Sequence, residues 1–145
     1  MNTEACIDAC NQLLRGELSA IETYDQALEK FTDSQEAGTL SRLRETHTRH
    51  AEKLRQHLIA MGATPSGDSG AWGAFAKAVE GTAKLLGESP ALQALIAGEE
   101  HGIDEYKEAL LDEDVMAEIK TVIQSELLPE QRQNVQTLKQ LQGAA

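Results

Sequence analysis

Apolar residues recur along the chain in alternating steps of three and four, the period of a helix buried on one side. The first such seam is Ile7, Cys10, Leu14, Ile21, Tyr24, Leu28 and Phe31, and it predicts a helix from about Thr3 to Phe31. Asp33 or Ser34 then offers an N-cap. A second helix runs on to about Met61 on Leu40, Leu43, Leu54 and Met61, with Gly62 as its stop. Ser89 and Pro90 suit the first positions of a third helix, whose seam is Leu92, Ile96, Ile103, Tyr106 and Leu110. "DED" at 112–114 reads as a tight turn and helix cap. A fourth helix from about Val115 to Leu141 carries Met116, Ile119, Ile123, Leu127, Leu138 and Leu141. Pro129 lies inside it and should kink or bulge it, because proline has no N–H and crowds the carbonyl one turn back.

Between the second and third helices lies a connection from about Gly62 to Glu88. It opens with a Gly/Ser/Pro-rich stretch to Gly70, and Trp72, Phe75, Val79 and Leu86 then predict a short amphipathic helix. This connection is too long for a hairpin turn and long enough to cross a bundle from end to end. The expected architecture is therefore all-α: one domain over residues 1–145, a four-helix bundle of two helical hairpins joined by a long crossover containing a short helix.

A gapless internal repeat supports two related halves. Residues 16–28 and 98–110 share Gly16/Gly98, Glu17/Glu99, Ile21/Ile103, Tyr24/Tyr106, Ala27/Ala109 and Leu28/Leu110, so Glu17 and Glu99 lie 82 residues apart. Both glutamates occupy seam positions between apolar neighbours. An unpaired buried carboxylate costs several kcal/mol or takes up a proton, so partners are expected. The second helix supplies His47 and His50, also on the seam and three residues apart, hence on one face. A hairpin turning near residue 32 brings position 17 level with position 47. A turn near 113 brings position 99 level with about 127, where Glu126 and Glu130 bracket the site. Glu130 fits the seam better, and Gln131 and Asn134 are weaker candidates. Carboxylates and imidazoles meeting inside a bundle form an oxygen/nitrogen ligand set for one or two ions of Fe, Mn or Zn. Tyr24 and Tyr106 read equally well as core aromatics or as phenols beside the site. Cys6, Cys10 and His57 come level near the far end of the first hairpin, with a second soft-metal site as the less favoured alternative to simple core packing.

Composition narrows the function classes. A net charge of −11 argues against nucleic acid and anionic membrane surfaces. No apolar run approaches a membrane span, and no secretory signal is visible. Two cysteines within the first ten residues make no disulfide framework, so a reduced, cytoplasmic setting is the default.

The stretch "GELSAIETY" resembles the first-helix pattern of rubrerythrin-type members of the ferritin-like superfamily. More closely, "AIETYDQAL", "GATPSGDSGAWGAF", "AGEEHGIDEYKEALLDEDV" and "LLPEQ" are similar to an uncharacterised family of bacterial ferritin-like four-helix bundles, a domain of unknown function. The resemblance implies a ferritin-like bundle that binds metal, with iron/oxygen or peroxide redox chemistry in bacterial stress response, and with a homodimer among its assemblies. The chain departs from the di-iron pattern, in which helices two and four carry Glu-x-x-His. Here helix two has His47-Thr-Arg-His50 and helix four has Glu130-Gln-Arg-Gln133. A single ion, a looser two-ion site, or a non-catalytic helical protein with a degraded site are the expectations left open.

Overall fold

The computed structural model describes residues 3–31, 34–69 and 88–144. It is dominated by helices: α1 (Thr3–Leu28), α2 (Ser34–Ala60), α3 (Glu88–Leu111), α4 (Ala117–Val122) and α5 (Leu128–Ala144), with a π-helical turn, Ile123–Leu127, making α4 and α5 one interrupted fourth rod. The expected short helix at Trp72–Leu86 lies outside the described residues.

The helix ends follow local chemistry. α2 stops where Gly62 takes φ +80, a left-handed conformation that glycine adopts without steric cost. There Ala63 N–H donates to the Leu58 carbonyl (3.0 Å) and Gly62 N–H to that of Ile59 (2.9 Å), closing a Schellman cap. Between α3 and α4, Asp112 Oδ1 accepts the Asp114 N–H at 2.9 Å and its carbonyl accepts Val115 N–H at 3.2 Å, the turn expected from "DED"; the cap falls instead on Met116, without a side-chain bond, and the helix starts at Ala117. α1 ends three residues before Phe31, in a turn held by Lys30 N–H on the Ala27 carbonyl at 2.9 Å.

Pro129 produces the expected disturbance, and the form is a bulge. A straight α-helix would set the proline ring against the carbonyl of Ser125. The wider π turn relieves this, with Leu128 N–H donating to the Ile123 carbonyl five residues back. The extra residue rotates everything downstream by about 100° relative to an unbroken helix.

Pairs of contacting residues fix the helix directions. Tyr24 meets Glu99 and Tyr106 meets Glu17, pairs whose numbers both add to 123, so α1 and α3 run antiparallel. Glu17 with His47 makes α1 and α2 an antiparallel hairpin. His50 with Glu130, and Lys53 with Glu126, set α2 antiparallel to the fourth rod. The order is up, down, down, up, so α2 ends and α3 begins at opposite ends of the bundle. The described part of the connection, to residue 69, lies along α1: Ser66 N–H donates to Asn11 Oδ1 (2.8 Å) and Ser69 Oγ to Glu22 Oε2 (3.2 Å), three turns further on.

Burial divides the interior into layers. One apolar cluster gathers Cys6, Cys10, Leu14, Leu54, Leu58, Val115, Ile119, Ile123 and Leu127. Another gathers Ala27, Phe31, Leu40, Leu92, Leu95 and Leu138. Between them lie Glu17, His47, His50, Glu99, Gln131 and Asn134, all buried. Leu14 and Leu58, which are fully buried, should each cost about 2–5 kcal/mol of unfolding free energy on truncation to alanine, measured by urea denaturation. Ile59→Ala, at a site 60% exposed, should change it by less than about 0.5 kcal/mol.

Candidate metal centre

Glu17 is the hub of the polar layer. Its Oε2 lies 2.6 Å from His47 Nδ1, and its Oε1 lies 3.3 Å from His50 Nδ1 and accepts the Tyr106 hydroxyl at 2.5 Å. The one-face spacing of His47 and His50 lets a single carboxylate meet both imidazoles. Glu17, His47 and His50 are also the one group of three or more His, Cys, Asp or Glu among the described residues that could hold a metal ion, with candidate ligand atoms all within 4.8 Å of one another.

The second repeat enters from the other side. Tyr24 Oη donates to Glu99 Oε2 at 2.8 Å. Each tyrosine therefore bonds the glutamate of the opposite repeat, across an approximate two-fold axis between α1 and α3. Glu99 Oε1 approaches His47 Nε2 to 2.8 Å, but outside the alignment of a hydrogen bond, and this buried oxygen has no donor among the described residues. The fourth rod closes the layer. Glu130 Oε1 lies 3.0 Å from His50 Nε2 and accepts Arg49 at 3.2 Å. Asn134 Nδ2 lies 3.4 Å from His47 Nε2, and Gln131 Nε2 donates to the Glu99 carbonyl at 3.2 Å.

Of the residues singled out in the sequence, Glu17, His47, His50, Glu99 and Glu130 come together. Glu126 stands apart, one turn below, with its carboxylate 3.2 Å from Lys53 Nζ and partly exposed. Cys6 and Cys10 are buried free thiols in the lower apolar cluster, where Cys6 Sγ accepts the Met116 N–H. Burial and then the neighbouring Cys6 push the Cys10 thiol up to about 12. His57 faces Glu118 at 3.8 Å, so no soft-metal group of three forms there among the described residues. Gly102 escapes a reading of the seams. A Cβ there would collide with Gln131 Nε2, so its bare backbone lets that amide reach the Glu99 carbonyl. The signal in the sequence is the mid-helix glycine of "EEHGIDEY".

The layer forms a chain of alternating acids and bases: Glu99, His47, Glu17, His50, Glu130. Burial alone would raise the Glu17 carboxyl, but His47 and then His50 overcome this and hold it well below its ordinary range. Burial presses His47 toward neutrality, yet Glu99 and then Glu17 outweigh it and raise it to about 10. His50 is also raised: burial opposes this, and the contacts to Glu17 and Glu130 prevail. Burial, then Glu99 for Tyr24 and Glu17 for Tyr106, keeps both phenols protonated far into alkali, so they act as fixed donors. A cavity of about 30 Å³, lined by both glutamates, both tyrosines and His47, adjoins the chain. It has room for about two waters, at roughly 10–15 Å³ each.

Fold and site together define an all-helical four-helix bundle with a buried Glu/His cluster able to take a metal ion. The chain belongs to the family described as "Domain of unknown function (DUF2383)", which matches residues 5–112. The match takes in Glu17, His47, His50 and Glu99 and stops short of Glu130. No curated protein and no solved structure matches the chain.

Two outcomes test the site's electrostatics. Tyr106→Phe removes the hydroxyl donor from a buried carboxylate and should cost about 1–3 kcal/mol in urea unfolding of the metal-free protein. The pH dependence comes from the shifts. His47 binds its proton more tightly folded than unfolded, so its contribution is complete below its ordinary value of 6.5 and is lost as pH rises through about 10. Glu17 is depressed, so its contribution is complete above 4.5 and is lost as pH falls. Metal-free protein should therefore be most stable near pH 5–6 and less stable at pH 9, and His47→Gln should flatten the alkaline side of that profile.

Proposed function

We propose that the protein is a ferritin-like metal-binding bundle in which Glu17, His47 and His50, with Glu99 and Glu130, hold one or two transition-metal ions. The observation that carries this is the buried Glu17–His47–His50 group, whose ligand atoms fall within 4.8 Å of one another. Glu99 Oε1 adds a second one. A buried carboxylate oxygen without a donor, 2.8 Å from an imidazole nitrogen but off its hydrogen-bond axis, fits two ligands directed at a common ion better than it fits a bonded pair. Two imidazoles and three carboxylates suit Fe, Mn or Zn. The up-down-down-up order with one carboxylate from each central helix supports the ferritin-like arrangement.

The chain's own groups have separable roles in this reading. Tyr106 and Tyr24 orient Glu17 and Glu99 and stay protonated while doing so. Gln131 and Asn134 brace Glu99 and His47 from the fourth rod. An ion held by Glu17, His47 and His50 would take the place of the protons between these imidazoles and carboxylates. A bound iron or manganese ion would supply one-electron chemistry toward dioxygen or peroxide, whereas zinc would supply Lewis acidity alone. The free buried thiols fit a reducing, cytoplasmic setting.

A second reading has its own observation: the alternation of acids and bases, with both imidazoles raised, lets protons provide the positive charge that an ion would otherwise bring. The protein would then be a non-catalytic helical module. Metal content and melting behaviour separate the two. Protein expressed without a metal-chelating tag should carry about one or two ions per chain by elemental analysis, and Glu17→Ala/Glu99→Ala should carry close to none. Stripping the ion should lower the melting temperature by roughly 5–10 °C, as expected for a ligand present near a hundred times its dissociation constant. Equal, substoichiometric metal in both proteins and an unchanged melt would leave the proton-filled module as the answer. A rise of ferric near-ultraviolet absorbance when peroxide is added to a ferrous-loaded sample would mark redox chemistry, and sedimentation velocity would report dimerisation.

A further inference from the structure

A groove of about 300 Å³ runs between the first half of α1 and the second half of α3. Four carboxylates line it, those of Asp8, Glu105, Glu108 and Asp112, and among the described residues no lysine, arginine or histidine does. Its floor is shared with the inner cavity: Gln12, Leu13 and Glu105 line both, and the inner cavity reaches Glu17 and Glu99. An acidic groove alone says little. Here it adjoins a cavity lined by Glu99 and Gln131, each only 3% exposed: Gln131 Oε1 has no donor among the described residues, and Glu99 Oε1 faces His47 2.8 Å away but off its hydrogen-bond axis. The Gln131 oxygen is open to a positive or proton-donating guest, and Glu99 Oε1 can exchange the imidazolium for one.

Among the described residues the groove is not the layer's sole contact with solvent: Glu130, 37% exposed, lies on the α2–fourth-rod side. The two apolar clusters seal the layer from both ends. On the α2–fourth-rod side, Arg49 and Lys53 stand 3.2 Å from Glu130 and Glu126 and balance their charge, so this side offers an approaching cation no net attraction. On the groove side four carboxylates face no such cation among the described residues. At the floor, burial and then the nearby Glu108 raise the Glu105 carboxyl, with His101 and Gln12 opposing the rise. His101, on the exposed side of α3, lies 3.9 Å from Glu105 and marks the outer edge of this contact.

We propose that this α1–α3 groove is the entry route by which a divalent cation reaches the buried carboxylates, with Glu105 handing it from the groove to Glu17 and Glu99. This rests on the metal-binding reading and adds the path. The test is the rate at which cobalt(II) enters metal-free protein, followed by stopped-flow absorbance at low ionic strength. Asp8→Asn/Glu108→Gln/Asp112→Asn should slow entry on the order of tenfold while leaving the final cobalt occupancy unchanged, and added salt should shrink the difference. A control variant, Glu29→Gln/Glu45→Gln/Glu52→Gln, removes the same charge from exposed positions away from the groove and should leave the rate close to that of the parent. Equal slowing in both variants, or an unchanged rate in the groove variant, overturns the route while the metal site stands. Absence of cobalt binding in the parent protein overturns the metal reading, and the route with it.

Discussion

The whole interior is organised around one buried carboxylate. Glu17 sits where a leucine would continue the seam of α1, and it is tolerable there only because a phenol and two imidazoles converge on it. That requirement reaches all four rods. α2 must present two histidines at one level, α3 must bring Tyr106 across, and the fourth rod must satisfy the ring nitrogens the histidines leave over. The result is a polar slab between two apolar cores. The apolar clusters on either side then act as clamps that close the slab at both ends, and the low dielectric they provide strengthens the contacts within it.

The two halves are alike in their first helices and unlike in their second. Both repeats contribute a glutamate and a tyrosine, and these remain near-symmetric in space. The imidazoles come from α2 alone. Opposite them the fourth rod offers amides, Gln131 and Asn134, and a carboxylate, Glu130, that reaches His50 from the edge while held by Arg49. The site is accordingly rich in nitrogen on one side and in oxygen on the other.

Much of this was legible from the chain. Glu17, Glu99, His47 and His50 interrupt apolar seams, and reflecting the first hairpin about its turn places 17 against 47, where the structure puts them. The Schellman stop at Gly62 and the Asx turn at Asp112 came from local chemistry. Three features were hidden, for physical reasons. The tyrosines read naturally against their own helices, but pairing across antiparallel α1 and α3 depends on a register that only tertiary packing sets. The seam favours Glu130 over Glu126 and ranks Gln131 and Asn134 lower, but an unbroken period carried through Pro129 does not show which residues beyond the proline reach the layer. The π turn rotates the residues beyond it, leaving Glu126 to Lys53 and bringing Glu130, Gln131 and Asn134 to the layer. Gly102 reveals its purpose only once the amide of Gln131 lies where its side chain would have been.

The exchanged tyrosine bonds have a consequence for how the chain folds. They join residues 75 and 89 positions apart, and each half supplies the donor that the other half's acid needs. Neither hairpin is chemically self-sufficient: alone, it would bury a glutamate whose phenol sits on the missing half. Local helix formation is fast, but these closures are distant in sequence and must wait for both hairpins to meet. The bundle is in this sense a covalently tethered pair of mutually dependent halves, and its cooperativity resides in the polar centre as much as in the apolar layers around it.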